Sequence, residues 1–360
     1  TKVAIRGLSP KYNSVTVNGV SMPATGGTDR SVDLSIISSN MLDGITVSKS
    51  VTPDMQADAL GGSVDLRLRE APDSLSVEGS AQLGYNSLRE NTGNYKVNLS
   101  ASDRFFNDKL GIIANFNADD YNRSADIFNT GYFETTEEGT NATIIQISNV
   151  NLQEQQMRRS RLGGSVVLDY QIPDGKFTFN AFYNRSNRDR TDFINNYDVR
   201  YNRHYHHLNN TPEDINTIFN SALGFEKTFD FMEMDASVAR SSTVGEIPTQ
   251  YQFTFAQESN AYDFTGVSIP ELEPTDVPAI ENYDSTRTGL ADLYKRSIDR
   301  HEYVTSSKLN IKFPFSLGLN ANGFFKFGGR AGWLDRANDV EQYGRNGLHY
   351  GGGASVFESM

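Results

Sequence analysis

The sequence predicts a membrane protein of the all-β class, an antiparallel transmembrane β-barrel preceded by a small α+β domain. Two observations favour this fold. From about residue 74 onward, apolar and polar residues alternate in runs of up to about eleven residues, the length of a tilted strand that crosses a bilayer. Short turns also alternate with long connections, as in outer-membrane barrels, whose short turns face the periplasm.

The composition of the 360 residues fits this class and argues against several others. Hydrophobic residues make up only 37% of the chain and its formal net charge is −12, yet it contains 22 Phe, 17 Tyr and 30 Gly. The lack of Cys excludes disulfide scaffolds, thiolate metal centres and thiol nucleophiles. The acidic charge disfavours non-specific binding of nucleic acid, and the aromatic content disfavours disorder. No apolar run is long enough for a transmembrane helix, whereas a barrel conceals its hydrophobicity in alternation.

Residues 75–85 are the clearest example of the alternation. Their odd positions carry Leu, Val, Gly, Ala, Leu and Tyr, and their even positions carry Ser, Glu, Ser, Gln and Gly. A soluble β-sandwich also alternates, but its strands are usually about five or six residues long, so the barrel is favoured. Similar runs predict about nine strands, around residues 75–85, 95–101, 110–118, 166–172, 177–183, 219–225, 232–238, 309–313 and 325–333.

The predicted connections fall into two kinds. Short turns are expected at residues 106–108, 173–175, 228–230 and 320–323. Long loops are expected at residues 86–93, 122–157, 187–216, 241–300 and from 335 onward. With short turns at one rim and long loops at the other, the layout is that of an outer-membrane barrel.

Residues 1–70 have a different pattern, and we predict that they form a separate domain, with residues 71–360 forming the barrel part. Short strands are expected around residues 15–17, 45–49 and 63–69. A short helix is expected near residues 36–41, and Thr52-Pro53-Asp54 has the form of a helix start.

Four segments of this first domain, taken in order, resemble the plug of TonB-dependent outer-membrane receptors. They are Ile-Arg-Gly-Leu at residues 5–8, Val-Thr-Val-Asn-Gly-Val at 15–20, Leu-Asp-Gly-Ile-Thr-Val-Ser-Lys-Ser at 42–50, and the stretch 52–66 that begins Thr-Pro-Asp-Met. The last wording differs from the Gly-Pro that is commoner in siderophore receptors. The resemblance rests on motifs over residues 1–70 and on strand pattern alone over the rest.

The resemblance implies a barrel of about 22 strands with the plug inside its lumen. We therefore expect the chain to be the C-terminal part of a plug followed by the first strands of a barrel. The earlier plug and the segment that binds TonB are then expected before Thr1, and the remaining strands after Met360.

The function that the resemblance implies is active import of a scarce nutrient across the outer membrane of a Gram-negative bacterium. Substrate would bind to the extracellular loops and the plug apex, and TonB with its inner-membrane energy complex would displace the plug. Outer-membrane lipid and lipopolysaccharide are expected partners, a surface lipoprotein lid is another, and nucleic acid is not expected. No motif of an enzyme is present in the sequence, and neither catalysis nor a cofactor is predicted.

Two features of the sequence indicate the substrate class. The Thr-Pro-Asp-Met wording and the Tyr-rich polar loops favour a glycan or another oligomeric nutrient, since sugars are recognised by aromatic faces and hydrogen bonds. A siderophore, cobalamin or other metal chelate is an alternative substrate. A second alternative is a barrel that transports nothing and serves as a scaffold in a cell-surface or secretion complex.

Two groups of residues are candidates for binding substrate. The plug apex supplies the first by position in the family, and three Tyr spaced by four supply the second because their rings suit stacking. Packing against the barrel wall, or a place in an aromatic girdle, is the alternative role. The candidates are Lys11, Tyr12, Asn13, Met22, Thr28 and Asp29 in the plug, and Tyr197, Tyr201 and Tyr205 in the outer loops.

Charged residues are predicted to hold the plug in place. Arg6, Arg67 and Arg69 are expected to form ion pairs with lumen-facing acids. The acids in question are Glu78, Asp119 and Asp169. Such pairs would fasten a plug that must still move.

No metal site is predicted. His204, His206 and His207 cluster in the sequence, and the two at i and i+2, His204 and His206, would share one face of a strand and could bind a transition metal. Because no carboxylate is close in sequence, an exposed polar loop is favoured instead. The acidic loop 241–300 could hold Ca²⁺, but it lacks the regular ligand spacing, and a solvated loop is expected.

Overall fold

The computed structural model describes residues 2–25, 31–34, 42–49, 60–87, 89–136, 139, 142–317 and 321–345. The first of its two sheets, here called the inner sheet, has four strands in the order β2-β1-β4-β3. β1 and β4 are parallel, and the other neighbours are antiparallel. The helices expected at residues 36–41 and from 52 lie outside the described residues. The inner strands are β1 Asn13–Val17, β2 Val20–Ser21, β3 Leu42–Ser48 and β4 Gly62–Leu68.

The second sheet, here called the long sheet, has ten antiparallel strands, mostly paired in sequence order. β8 is the exception, since β7 pairs with the second half of β9 and β8 pairs with its first half. The predicted all-β fold with long antiparallel strands is therefore confirmed. The strands are β5 Ser76–Asn86, β6 Asn91–Phe105, β7 Leu110–Asn122, β8 Ala125–Thr136, β9 Thr143–Ile172, β10 Gly175–Asp198, β11 Arg203–Thr228, β12 Glu233–Gln257, β13 Thr288–Leu317 and β14 Ala321–Arg345.

Short turns connect the strands at one end of the long sheet. β9 and β10 are joined by two residues, Pro173 and Asp174, and Asp174 has a φ of 54°. Asn107, in the turn between β6 and β7, has a φ of 58°. Asn and Asp tolerate this left-handed conformation better than most residues do, which explains their use in these turns.

The prediction of long loops was largely wrong, because the strands continue through most of them. β10 and β11 stay paired from Gly175↔Lys227 to Asp198↔Arg203, so residues 187–216 are a hairpin that closes at residues 199–202. The connection between β12 and β13 shrinks to residues 258–287, and β8 is a tenth strand within the expected loop 122–157. Sequence alternation fades there because both faces carry polar residues, as in Asn187-Arg188-Asp189-Arg190, while the backbone pairing continues.

The burial pattern of the long sheet is the reverse of that in a soluble protein. Apolar side chains on one face are exposed, with Leu83 at 90% and Val77 at 74%. Polar side chains on the other face are buried, and Asn184 and Asn220 are both 0% exposed. A β-sandwich would bury its apolar face, whereas a membrane barrel turns that face to lipid. Among the described residues, no helix is long and apolar enough to cross a bilayer.

The inner sheet packs against the polar, inward face of the long sheet. Its core contains Val17, Val64 and Leu66, each about 1% exposed. The long sheet contributes four apolar side chains to that cluster, Ile113, Val167, Phe182 and Ile218. A smaller contact places Val20 against Ala222 and Ala239.

Candidate functional site

The first polar contact between the two sheets centres on Glu302 of β13, which is 7% exposed. One carboxylate oxygen accepts a hydrogen bond from the backbone N–H of Ala24, at 2.9 Å. The other lies 3.3 Å from Nε of Arg336 on β14. A buried carboxylate is costly unless it is paired, and here the strand neighbour supplies the charge while the inner domain supplies a donor.

A second contact joins Ser21 of β2 to β12. The hydroxyl of Ser241 donates to the carbonyl oxygen of Ser21 at 3.1 Å. The same hydroxyl accepts a hydrogen bond from Nδ2 of Asn220 at 2.6 Å. Asn220 therefore orients the hydroxyl that holds the inner strand.

A third contact lies closer to the short turns. Arg104 of β6 binds Asp169 of β9 through two hydrogen bonds, of 3.0 and 3.2 Å, and both side chains are buried. Nη2 of Arg104 also donates to the carbonyl oxygen of Ala71, at 3.2 Å. The planar guanidinium can serve both partners at once, which fixes the point where the chain passes from the inner sheet to the long sheet.

The predicted plug arginines lie in three different settings. Nη1 of Arg69 is 3.3 Å from Oε2 of Glu78, and both side chains are partly exposed. Nε of Arg67 is 4.0 Å from Asp65 on its own strand, and Arg6 is exposed in the turn between Ile5 and Leu8.

The lumen acids Asp119 and Asp169 bind arginines of the long sheet, not arginines of the inner domain. Asp119 is paired with Arg161 at 2.8 Å, and Asp169 is paired with Arg104. Sequence reasoning missed these pairs because their partners lie 42 and 65 residues apart, and only the strand register brings them together.

The predicted plug-apex residues separate into exposed and packed side chains. Tyr12 is 38% exposed, and the ammonium of Lys11 lies 5.1 Å from the centre of its ring. Asn13 is buried and donates from Nδ2 to the carbonyl oxygen of Val3, and Met22 is buried in the core. Thr28 and Asp29 lie outside the described residues.

The three loop tyrosines lie together at the far end of the β10–β11 hairpin, in different environments. Tyr197 is buried and stacks on the ring of His204, with 4.3 Å between ring centres. Tyr201, in the turn, is 59% exposed and lies near the guanidinium groups of Arg200 and Arg203. Tyr205 stacks at 6.1 Å on His207.

The connection 258–287, here called the outer cap, is an ordered structure and not the solvated loop that was expected. Ala261, Tyr262 and Val277 pack on Val150, Tyr197 and other side chains at the ends of β9 and β10. The hydroxyl of Tyr262 donates to the carbonyl oxygen of Arg203 at 2.6 Å. At the base of the cap, Nε2 of Gln257 donates to the carbonyl oxygens of Asn260 and Asn282.

The outer cap brings a carboxylate to the histidines, which contradicts the prediction of an exposed polar loop. Oε1 of Glu281 is 2.5 Å from Nδ1 of His204, and His204 is 1% exposed. Burial, together with the neighbouring His206, lowers the pKa of His204 to about 3, so the ring is neutral at physiological pH. Burial raises the pKa of Glu281. His204 and Glu281 are 77 positions apart, which is why sequence reasoning missed this pair.

Comparison with known proteins gives one match to a family model and several to solved structures. No curated protein matches the chain. The ferric citrate transporter FecA, in its unliganded form, is 13% identical, with a TM-score of 0.35; the match covers 95% of this chain and 52% of that one. The siderophore receptor PiuA of Acinetobacter baumannii is 12% identical, with a TM-score of 0.35, and the shares are 93% and 55%. The ferric yersiniabactin uptake receptor FyuA of Yersinia pestis is 11% identical, with a TM-score of 0.31 and shares of 92% and 52%.

The chain spans about half the length of these three receptors. The family model is that of the TonB-dependent receptor plug domain, and it matches residues 1–63. Those residues include β1, β2 and β3, and they end at the start of β4. With this match the N-terminal part of the chain is a plug domain of the TonB-dependent receptor family, which confirms the family that the four sequence segments resemble.

Proposed function

We propose that the chain is the plug and adjoining barrel wall of an outer-membrane receptor that imports a scarce nutrient with energy supplied through TonB. The observation that carries this proposal is a plug-family domain seated on the buried polar face of a sheet whose other face is apolar and exposed. Such a domain blocks passive flow, so import requires that it move. We also propose the division into a plug at residues 1–70 and a barrel part at 71–360, which the contact at Ala71 supports.

The contacts of the plug suit displacement by a pulling force. Long ladders of backbone hydrogen bonds hold the wall together, for example 23 residue pairs between β10 and β11. Among the described residues, the plug is attached by a small apolar contact, by the hydrogen bonds at Glu302 and Ser241, and by the ion pairs Arg69–Glu78 and Glu70–Lys176. Because local opening follows the weaker contacts, a pull is expected to release the plug and leave the wall intact. TonB and its inner-membrane complex are the proposed source of that force.

For the substrate we propose a glycan or another oligomeric nutrient bound by exposed aromatic faces. Tyr12 at the plug and Tyr201 at the hairpin end present such faces, whereas Tyr197 is already stacked on His204. A ferric siderophore, cobalamin or other metal chelate is the alternative substrate. It is favoured by the positive charge of Lys11 and Arg200 beside the same rings, which suits an anionic ligand.

Uptake into cells that make the receptor, with and without TonB, tests both proposals. We expect labelled oligosaccharide to accumulate only when TonB is present, and Tyr12→Ala or Tyr201→Ala to reduce that accumulation. Tyr343→Ala is the control, because Tyr343 is also exposed, at 66% against 59% for Tyr201, but lies on β14, away from the β10–β11 hairpin.

Three outcomes would contradict parts of the proposal. Uptake of a ferric siderophore or cobalamin instead of oligosaccharide would overturn the substrate. Uptake that does not need TonB would overturn the mechanism. A receptor that reaches the surface but takes up none of these ligands would favour the scaffold role, and co-purification of a surface lipoprotein would support that role further.

A further inference from the structure

The far end of the β10–β11 hairpin gathers two imidazoles and a carboxylate. His204 and His206 are two residues apart on β11, so their side chains lie on the same face of the strand, with 4.1 Å between ring centres. Glu281 reaches them from the outer cap. One ligand atom from each of the three side chains lies within 4.8 Å of the others.

His204 has hydrogen-bonding capacity that the protein does not use. Its ring is 1% exposed, yet neither Nδ1 nor Nε2 has a hydrogen-bond partner. Oε1 of Glu281 is 2.5 Å from Nδ1, but the alignment is not that of a hydrogen bond. Burying a polar group without a partner is costly, so an unsatisfied ring at the centre of a cluster points to a bound species.

His206 is oriented as metal-binding histidines usually are. Its Nδ1 lies 2.7 Å from Oδ1 of Asn195, the residue that pairs with it on β10. When Nδ1 carries the proton and donates to the amide oxygen, the lone pair of Nε2 is free. A hydrogen bond from the far ring nitrogen to an oxygen acceptor fixes the tautomer and orientation of a ligating histidine.

Glu281 is positioned by the backbone of the outer cap. It forms an isolated β-bridge with Tyr262, and the neighbouring Asn282 donates from its N–H to the carbonyl oxygen of Ala261 at 2.8 Å. Tyr262 is in turn bonded to the hairpin through the carbonyl oxygen of Arg203. The carboxylate therefore belongs to an element that packs on the hairpin, not to a free loop.

We propose that His204, His206 and Glu281 bind a divalent transition-metal ion of the zinc type, which fastens the outer cap to the β10–β11 hairpin. Two imidazoles and one carboxylate are a known ligand set for Zn²⁺, with a fourth position left to solvent. Ligand distances of about 2.0–2.2 Å place neighbouring ligand atoms about 3.3 Å apart. The carboxylate of Glu281 must therefore move about 0.8 Å away from Nδ1 of His204, which its partial exposure allows.

Titration of Zn²⁺ into the EDTA-treated, detergent-solubilised protein, followed by calorimetry, tests the site. One saturable Zn²⁺ per chain is expected, with no comparable binding of Mg²⁺ or Ca²⁺, which prefer sites made of oxygen ligands. Asn195→Ala should weaken binding about 10- to 100-fold, the usual effect of losing an outer partner of a ligand. His206→Gln and Glu281→Gln each replace a ligand by a side chain of similar volume. They should weaken Zn²⁺ binding by more than Asn195→Ala does.

His207→Gln is the matched control for these variants. His207 is on the same strand, faces the other way and contacts Thr254, so its loss should leave Zn²⁺ affinity unchanged. Cleavage by a glutamate-specific protease at the exposed Glu271 and Glu273 gives a second readout. Zn²⁺ should slow this cleavage in the wild type and in His207→Gln, but not in Glu281→Gln.

Two results would overturn the proposal. One is the lack of saturable Zn²⁺ binding by the wild-type protein, and the other is binding that survives both His206→Gln and Glu281→Gln unchanged. Because neither measurement needs transport, the outcome is independent of the import that we propose for the receptor.

Discussion

At the scale of single residues, buried acids on the inward face take their countercharges from the same wall. Asp119 pairs with Arg161, and Asp169 with Arg104. Glu302 differs, because it divides its two oxygens between Arg336 and a backbone N–H of the plug. Among the contacts of the described residues, that of Glu302 joins a charge pair of the long sheet directly to the plug, so the loss of Glu302 should loosen the plug.

Glu302→Ala tests this role. The change leaves the N–H of Ala24 without its acceptor and removes the carboxylate beside Arg336, and we expect the contact to weaken by about 1–3 kcal/mol. Hydrogen exchange should therefore quicken in residues 22–25 while the exchange of β13 stays slow.

Glu233→Ala is the control for that measurement. Its pair with Lys312 is partly exposed and near the short turns, and such pairs contribute about 0–1 kcal/mol. Equal exchange rates of residues 22–25 in Glu302→Ala and the wild type would show that Glu302 does not hold the plug.

At the scale of single elements, the inward face of β9 depends on the space that Gly163 leaves. A Cβ at this position would lie 2.6 Å from Nδ2 of Asn184 and 2.9 Å from Oδ1 of Asn117. Both asparagines are buried, at 0% and 2% exposure, so neither side chain can swing into solvent. β7 and β10 can place Asn117 and Asn184 here only because β9, which lies between them, has no side chain at position 163.

Gly163→Ala should destabilise the wall by overpacking, by about 1–3 kcal/mol. The midpoint of unfolding by urea in detergent is expected to fall. Gly329→Ala on β14 is the control, since a Cβ there meets nothing within 4 Å. A midpoint lowered equally by both changes would point to loss of glycine itself and not to crowding of Asn117 and Asn184.

The same scale shows why the sequence predicts some elements and not others. β9 and β10 are recognisable around the turn at Pro173-Asp174 because one face there is apolar and the other polar. Their outer halves carry polar residues on both faces, which removes the alternation although the register continues unbroken to Tyr197↔Val150. The alternation of apolar and polar residues therefore marks the parts of the strands that are predicted to contact lipid. Strand pairing outside those parts produces no comparable pattern in the sequence.

At the scale of the whole molecule, the family and the barrel fold could be predicted, whereas the contacts that make up the candidate sites could not. The plug motifs and the alternation each lie within short continuous segments, so both can be recognised in the sequence alone. Glu302 with Ala24, and Glu281 with His204, join residues 278 and 77 positions apart. Such pairs depend on the register and packing of distant segments, and the sequence of one segment alone does not determine either.

The reversed burial pattern gives a test of the membrane fold as a whole. Leu223 is 57% exposed on the apolar face of β11, near the middle of the predicted membrane-spanning part. In a bilayer, Leu223→Arg should cost about 2–4 kcal/mol of folding free energy, measured by urea titration in lipid vesicles. In a soluble protein the same exposed substitution would change stability by about 0.5 kcal/mol or less.

A matched arginine on the polar face of the far hairpin controls for charge. Asn209 pairs with Asp192 in the outer part of β11, beyond the alternating region. Asn209→Arg should leave the vesicle titration close to that of the wild type. Equal costs at positions 209 and 223 would contradict the orientation of the sheet relative to lipid.

The pairing of β10 with β11 runs from the short turns to the outer cap, with one register shift between Arg188 and Arg190. The 24 residues of β10 extend about 80 Å at about 3.3 Å per residue, and crossing the bilayer uses only about 9–11 of them. Phe182 and Ile218, in one pair of strands, touch the plug, while Tyr197 and His204, at the other end of the same pair, carry the outer cap. We expect this ladder to transmit movement, so a displacement of the outer cap should also shift the two strands that contact the plug.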